Sequence, residues 1–440
     1  KYFYDECLYY VDINHFEIIF IVVTFLIIII FSKSLISFTK NKRKKALIFL
    51  IPSTLVVGAS IYFMLFSGFN GSEIYSLDLE RNKIANKPEK YKVEIIDYEA
   101  NSADLTDFVS YSGRKKKIRD KFFGRSLNET EVKGRIYAPK NLEKAPVLFV
   151  AHGNHRFTTK NYLGYDYLGK YLAKRGIAVV SVDMNMLNGF MKYGLSNEND
   201  ARAVLFLENI QNIVSRNKNK NSILFNRFDP EKIALLGHSR GGEAAAIAYN
   251  FNELNLHPDD GNISHKYKFN ISAVITISPT YDQYSPADKN IVLKDVDYLS
   301  LGGTNDADVK GFEGMLLYDN VFFTGEKDKF KAALYIGYAN HGNFNSLWGN
   351  YDLDPAEGFF LNRKELLDSE KQREILCTYV YNFLENSFGK TYNREIFKEG
   401  PEKYKDLPET NYYSRYMDSN FIKLADYEED YDLTTGSIKG

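Results

Sequence analysis

The sequence predicts an α/β protein, with a mostly parallel central sheet covered by helices on both faces, preceded by two membrane-spanning helices. Three observations carry this expectation: two long apolar segments near the start, a later alternation of strand and helix signals, and strands that are apolar along their whole length. The chain has 440 residues, is 44% hydrophobic and carries a formal net charge of −1, so it can bury a large core. Without a basic excess, no nucleic-acid partner is expected. The only cysteines, Cys7 and Cys377, lie far apart with no Cys/His spacing for a metal, so neither a disulfide framework nor a metal centre is expected.

The first apolar segment, residues 16–38, is interrupted only by Glu17 and Lys33, and the second covers residues 46–69. Each matches the length of about 20 residues that a helix needs to cross a bilayer. Pro52 and Gly58 do not argue against the second, because membrane helices tolerate both. Between them lies KNKRKK, with Lys40, Lys42, Arg43, Lys44 and Lys45. Such a short basic loop stays cytoplasmic, and Asp5, Glu6 and Asp12 flank the other end. A two-helix hairpin with everything beyond it outside the cytoplasm follows. A cleaved signal peptide would explain one such segment, not two. The lipid bilayer is thus one expected partner, through a multi-pass anchor in the cell membrane. The chain begins at Lys1 and stops at Gly440 inside a stretch that reads like a strand and a turn, so a longer parent protein is expected.

The chain divides into a membrane region over 1–72, a mixed-charge linker over 73–90, a main domain over 91–390 and an extension over 391–440 that reads like the start of a further β unit. Residues 91–100 and 131–140 alternate apolar and polar side chains, as half-exposed antiparallel strands do. Residues 145–153 and 176–185 are almost continuously apolar, which fits strands covered on both faces. Residues 162–176 place Tyr165, Leu168, Tyr171 and Leu172 on one helical face and end at Lys174, Arg175 and Gly176. Residues 199–214 share that period. Further strands are expected at 232–239, 271–279, 295–303 and 331–342, with a closing helix over 372–389. The basic run 113–121 reads as an exposed loop.

Gly237-His238-Ser239-Arg240-Gly241 fits G-x-S-x-G between an apolar strand and a helix opening on small residues, the context a nucleophile elbow requires. The turn places its serine in an unfavourable backbone conformation, and the glycines Gly237 and Gly241 let strand and helix approach. A serine hydroxyl needs a base within hydrogen-bonding reach and a carboxylate to orient that base. Of seven histidines, His15 precedes the first apolar segment, and His152, His155 and His238 precede the serine, against the Ser, acid, His order that goes with such an elbow. His257 and His265 lie in a polar loop. His341 follows the strand 331–342 region's apolar run and is the expected base. The acid belongs beyond the strand 295–303, where Asp306 is preferred and Asp308 competes; Asp183 is expected to support a turn. The oxyanion donors are expected to be the backbone N–H groups of Arg240, just after the serine, and of Asn154, with His155 as the neighbouring alternative.

The segment 91–389 resembles an α/β-hydrolase, and GHSRGG is similar to the version found in chlorophyllases and in bacterial esterases of the dienelactone-hydrolase and polyester-hydrolase-like groups. The resemblance implies a serine hydrolase of carboxylic esters that needs no cofactor, with Ser239, Asp306 and His341 as its triad. It does not cover the apolar helices or the tail. A peptidase or acyltransferase on the same fold, or a non-catalytic cell-surface binding module, are the other classes open to it. The substrate is expected to carry an apolar acyl or aryl part, because Met184, Met186, Leu187, Phe190 and Met191 suit the lining of an apolar pocket, although they equally suit a core. Trp348, the only tryptophan, is a candidate rim or flap residue. Asp352, Asp354 and Glu357 match no calcium-loop spacing and read as a solvated turn.

Overall fold

A computed structural model of the chain describes residues 15–40, 44–71, 73–75, 81–84, 88–189, 195, 198–311, 313–353, 358 and 361–421. Phe190, Met191, Asp354, Glu357, Cys7 and residues 41–43 of the basic loop between the apolar segments lie outside them. Two apolar helices come first, α1 (His15–Thr39) and α2 (Leu47–Leu65). Among the described residues only α1 is long and apolar enough to cross a membrane, the qualifying stretch being Val22–Thr39; the apolar part of α2 runs over Leu47–Tyr62.

The elements that follow are β1 (Val93–Glu99), α3 (Gly113–Phe123), β2 (Lys133–Pro139), β3 (Ala145–Ala151), α4 (Asp166–Ala173), β4 (Ala178–Val182), α5 (Asn199–Lys218), β5 (Phe228–His238), α6 (Arg240–Glu253) and β6 (Ile271–Ile277), and from β3 onward they alternate as the hydrophobic pattern predicts. The second half adds β7 (Leu293–Lys294), β8 (Asp297–Gly303), α7 (Glu313–Asp319), β9 (Val321–Phe322), β10 (Phe330–Ile336), α8 (Ser369–Ser387), α9 (Glu395–Glu399) and β11 (Tyr412–Asp418). Nine strands form one sheet in the order β1-β2-β4-β3-β5-β6-β8-β10-β11, while β7 and β9 pair beside it. The six strands from β4 to β10 run parallel; β1, β2 and β11 are antiparallel edges.

Alternation along the strands assigns the two faces. In β3, Val147 and Phe149 enter one core with Phe206 and Ile210 of α5 and Ile247 of α6. Leu148 and Val150 enter the other, with Leu168 and Leu172 of α4 and Ile375, Val380 and Phe383 of α8. Burial on both faces is what makes these strands uniformly apolar in sequence.

Four sequence expectations change. The basic run 113–121 is not a loop but helix α3, because Ile118, Phe122 and Phe123 form an apolar stripe against Phe157 that the surrounding lysines hide. Its Arg119 is buried between the rings of Tyr111 and Phe123. The helix expected over 162–176 opens as a 3-10 turn over Asn161–Tyr165. The last parallel strand ends at Ile336, and Tyr338 turns the chain at φ 60° before His341. Residues 391–421 do not stand apart, since Phe397 of α9 packs on Phe330 and β11 pairs along β10 as the ninth strand.

The segment after α2 is tied to the carboxyl end of β10. Ser67 O accepts the N–H groups of Arg363 and Lys364, each at 2.8 Å, and the Tyr338 hydroxyl donates to Glu73 O at 2.7 Å. Asn411 Nδ2 donates to the same carbonyl at 2.7 Å. The exit of the second apolar helix is thereby held three residues in sequence from His341.

Candidate active site

The site is built where the carboxyl ends of β3, β5, β8 and β10 converge. Ser239 follows β5 and precedes α6, with φ 58° and ψ −130°, a conformation that costs a non-glycine residue of order 1–3 kcal/mol. The turn closes because a Cβ on Gly237 would collide with the Gly241 carbonyl, and one on Gly241 would lie within 3 Å of His152 O. Ser239 N–H donates to Ile277 O at 2.9 Å, which fixes the turn to β6. Its side chain is buried. Arg240 is the first residue of α6, where backbone N–H groups have no intrahelical acceptor.

Gly153, after β3, lies against the serine: a Cβ there would sit 2.5 Å from Ser239 Cβ and 3.0 Å from Oγ. The next residue, Asn154, lines a cavity of about 190 Å³ together with Ser239, Arg240 and Asp308. Its side-chain oxygen accepts the N–H of Gly189. His155 takes another course. Its ring stacks on Trp348 at 4.9 Å, and burial drives its pKa down to about 3.

Asp306 and His341 meet. His341 Nδ1 donates to Asp306 Oδ2 at 2.8 Å, and Asp306 Oδ1 accepts the N–H groups of Asp308 at 3.0 Å and Val309 at 2.8 Å. These bonds leave the Asp306 carboxylate one orientation. Asp308 sits on the opposite side of the ring, with Oδ2 3.4 Å from Nε2 and a side chain about half exposed. Nε2 itself is buried and has no hydrogen-bond partner among the described residues. Burial of His341 opposes its charged form, but Asp306, Asp308 and Asp352 outweigh that and raise its pKa to about 10.

Asp352 is the residue that sequence reading missed. Its Oδ2 accepts the N–H of His341 at 3.0 Å and of Ala307 at 3.1 Å, and its Oδ1 accepts the N–H of Gly342 and the Asn340 side chain at 2.8 and 2.7 Å. One carboxylate thus joins the loop carrying Asp306 to the loop carrying His341. It is not a solvated turn residue, and burial pushes its pKa up despite His341. Only Gly349, which can turn the chain at φ 79°, hints in the sequence that the loop folds back.

Trp348 is buried, not a flap. It stacks between His155 and His238, the latter at 4.6 Å, and donates from Nε1 to Asn161 Oδ1 at 2.8 Å. His238 in turn lies 4.6 Å from His341, and burial, reinforced by His341, holds it neutral. This aromatic column packs the oxyanion-side loop, the elbow and the base loop together. His152 donates from Nδ1 to Gly153 O and accepts the Met184 N–H on Nε2, which bonds the loop after β3 to the loop after β4. Asp183 accepts the Asn185 N–H and supports that turn. Met184 and Leu187 are buried in the core beneath α5, and Met186 is buried as well. His257 and His265 are paired at 3.3 Å, away from these loops, against Phe251.

Arg240 points its guanidinium at Glu198, which also meets Arg202. Together the strained serine, the carboxylate-bound imidazole and the open helix start are the parts that nucleophilic acyl transfer requires. No metal-binding cluster of three or more His, Cys, Asp or Glu occurs among the described residues. No protein-family model matches the chain, and no curated protein matches it significantly.

Proposed function

We propose that the chain is a membrane-anchored, extracytoplasmic serine hydrolase of the α/β-hydrolase type that cleaves carboxylic esters. The observation that carries this is the 2.8 Å contact of His341 Nδ1 with Asp306, with the His341 ring 4.6 Å from that of His238, the residue before Ser239 and its positive-φ turn. The order β1-β2-β4-β3-β5-β6-β8-β10, with the serine after β5, the acid after β8 and the base after β10, supports the fold reading. The length of α1, the apolar α2 and the basic stretch between them support a two-helix anchor with that stretch cytoplasmic.

In this reading the neutral Nε2 of His341 takes the Ser239 proton as Oγ attacks the ester carbonyl. The oxyanion forms beside the N–H groups of Arg240 and Asn154. The imidazolium, oriented by Asp306, returns its proton to the departing alcohol, leaving an acyl-serine. Water then attacks, His341 again relays the proton, and the carboxylic acid departs with Ser239 restored. The test is turnover of a soluble ester by the full chain in detergent. Wild type is expected to turn over and Ser239→Ala to lose turnover; full activity in that variant contradicts the proposal.

A further inference from the structure

We propose that the site takes a short acyl group, of acetyl size, esterified to a neutral hydroxyl-rich alcohol of the carbohydrate type; this rests on the ester-hydrolase reading above. The cavity beside Ser239 holds about 190 Å³, below the roughly 300–1,000 Å³ of sites that enclose drug-sized ligands. Its lining is polar: Asn154, Thr280, Gln283, Asp308 and Glu313 surround the serine, and Val309 is the one aliphatic residue described there. Met184, Met186 and Leu187 are not among its lining, and Met184 and Leu187 belong to the core.

An alkyl chain placed here would strip water from carboxylates and amides and offer them no hydrogen bonds in return, a cost for each buried group. Hydroxyl groups replace those waters directly. Charge narrows the choice further. The Arg240 guanidinium is engaged by Glu198, whereas two carboxylates, Asp308 and Glu313, face the cavity. An anionic substrate therefore meets no free countercharge among these lining residues. Both carboxylates can accept: the Asp308 main chain is anchored through its N–H to Asp306, and Glu313 Oε2 takes the Tyr281 N–H at 2.9 Å. Gln283 is held by its own backbone, whose N–H donates to Glu243 Oε1 at 2.8 Å. Three polar residues on a backbone held at those points, with Glu313 also held by its side chain, stand next to a small acyl space and suit a site that reads hydroxyls.

One aliquot of the full chain in detergent is scored by intact mass for fluorophosphonate labelling of Ser239, and a separate untreated aliquot is assayed with methyl 6-O-acetylglucoside, methyl 6-O-octanoylglucoside, hexyl acetate and acetylcholine. The expected kcat/KM for the sugar acetate exceeds that for hexyl acetate by about tenfold and that for the sugar octanoate by about a hundredfold. Gln283→Leu is expected to shrink the sugar-to-hexyl ratio toward one, chiefly through KM. If the probe labels Ser239 but the untreated aliquot prefers the octanoate, hexyl acetate or acetylcholine, the substrate class is overturned and the hydrolase reading stands. An unlabelled, folded enzyme overturns both.

Discussion

The turn at Ser239 is held by its own backbone, whereas the loop at His341 is held by a carboxylate eleven residues further on. In the first, five consecutive residues set the shape, two glycines allowing the close approach and Ser239 taking φ 58°, and the Ile277 carbonyl ties the turn to β6. In the second, no short stretch suffices. Asp306 comes from the loop after β8, His341 from the loop after β10, and Asp352 bonds to both. Local strain and non-local hydrogen bonding thus bring the halves of one site together, and they fail differently when altered.

The largest effect should come from the elbow's product, the nucleophile. Ser239→Ala is expected to lower kcat by on the order of 10⁴ to 10⁶, with Tm little changed because alanine keeps the same positive-φ strain. Steady-state kinetics and thermal melts check both halves. Next comes the clamp. Asp352→Asn presents an amide NH₂ to backbone donors, so the His341 ring shifts and kcat falls by about 10²-fold. Because a charge that raises His341 is also removed, the acid limb of the kcat/KM–pH profile moves to lower pH, which a purely structural loss would not do.

A Cβ at the elbow tests the other plan. Gly237→Ala forces the turn open against the Gly241 carbonyl and is expected to cost about 1–3 kcal/mol in chemical denaturation, with activity falling in parallel. The smallest shift belongs to Asp308, whose carboxylate lies 3.4 Å from Nε2. Since His341 is raised to about 10 from an ordinary 6.5, kcat/KM is expected to climb through the alkaline range, and Asp308→Asn should bring that climb down by about one pH unit. The same sign governs stability. A raised folded pKa stabilises fully below about 6.5 and is lost as pH rises through about 10, so the His341 contribution to Tm fades across that window.

This contrast also explains what could be read in the sequence. The parallel strands, the elbow and the chain order of Ser239, Asp306 and His341 are written in local patterns: apolar runs, glycine spacing and position after a strand. Asp306 and Asp308 differ by two residues, and nothing local separates them; the distinction arises because the loop's own N–H groups turn the Asp306 carboxylate toward Nδ1. Asp352 was invisible for the same reason, since its partners lie ten or more residues away. Trp348 read as a flap because a lone tryptophan in a polar stretch gives no sign that two histidines will sandwich it. Helix α3 was obscured by composition, as six basic side chains outweigh an apolar stripe of three.

The central claim is that Ser239 is an activated nucleophile whose base is His341. Its most direct test is fluorophosphonate labelling of the full chain across pH, read by intact mass for wild type, Ser239→Ala and His341→Ala. The account predicts one adduct on wild type, faster at alkaline pH, and none on either variant. An adduct that persists in Ser239→Ala, or folded wild type that takes none at any pH, would contradict it.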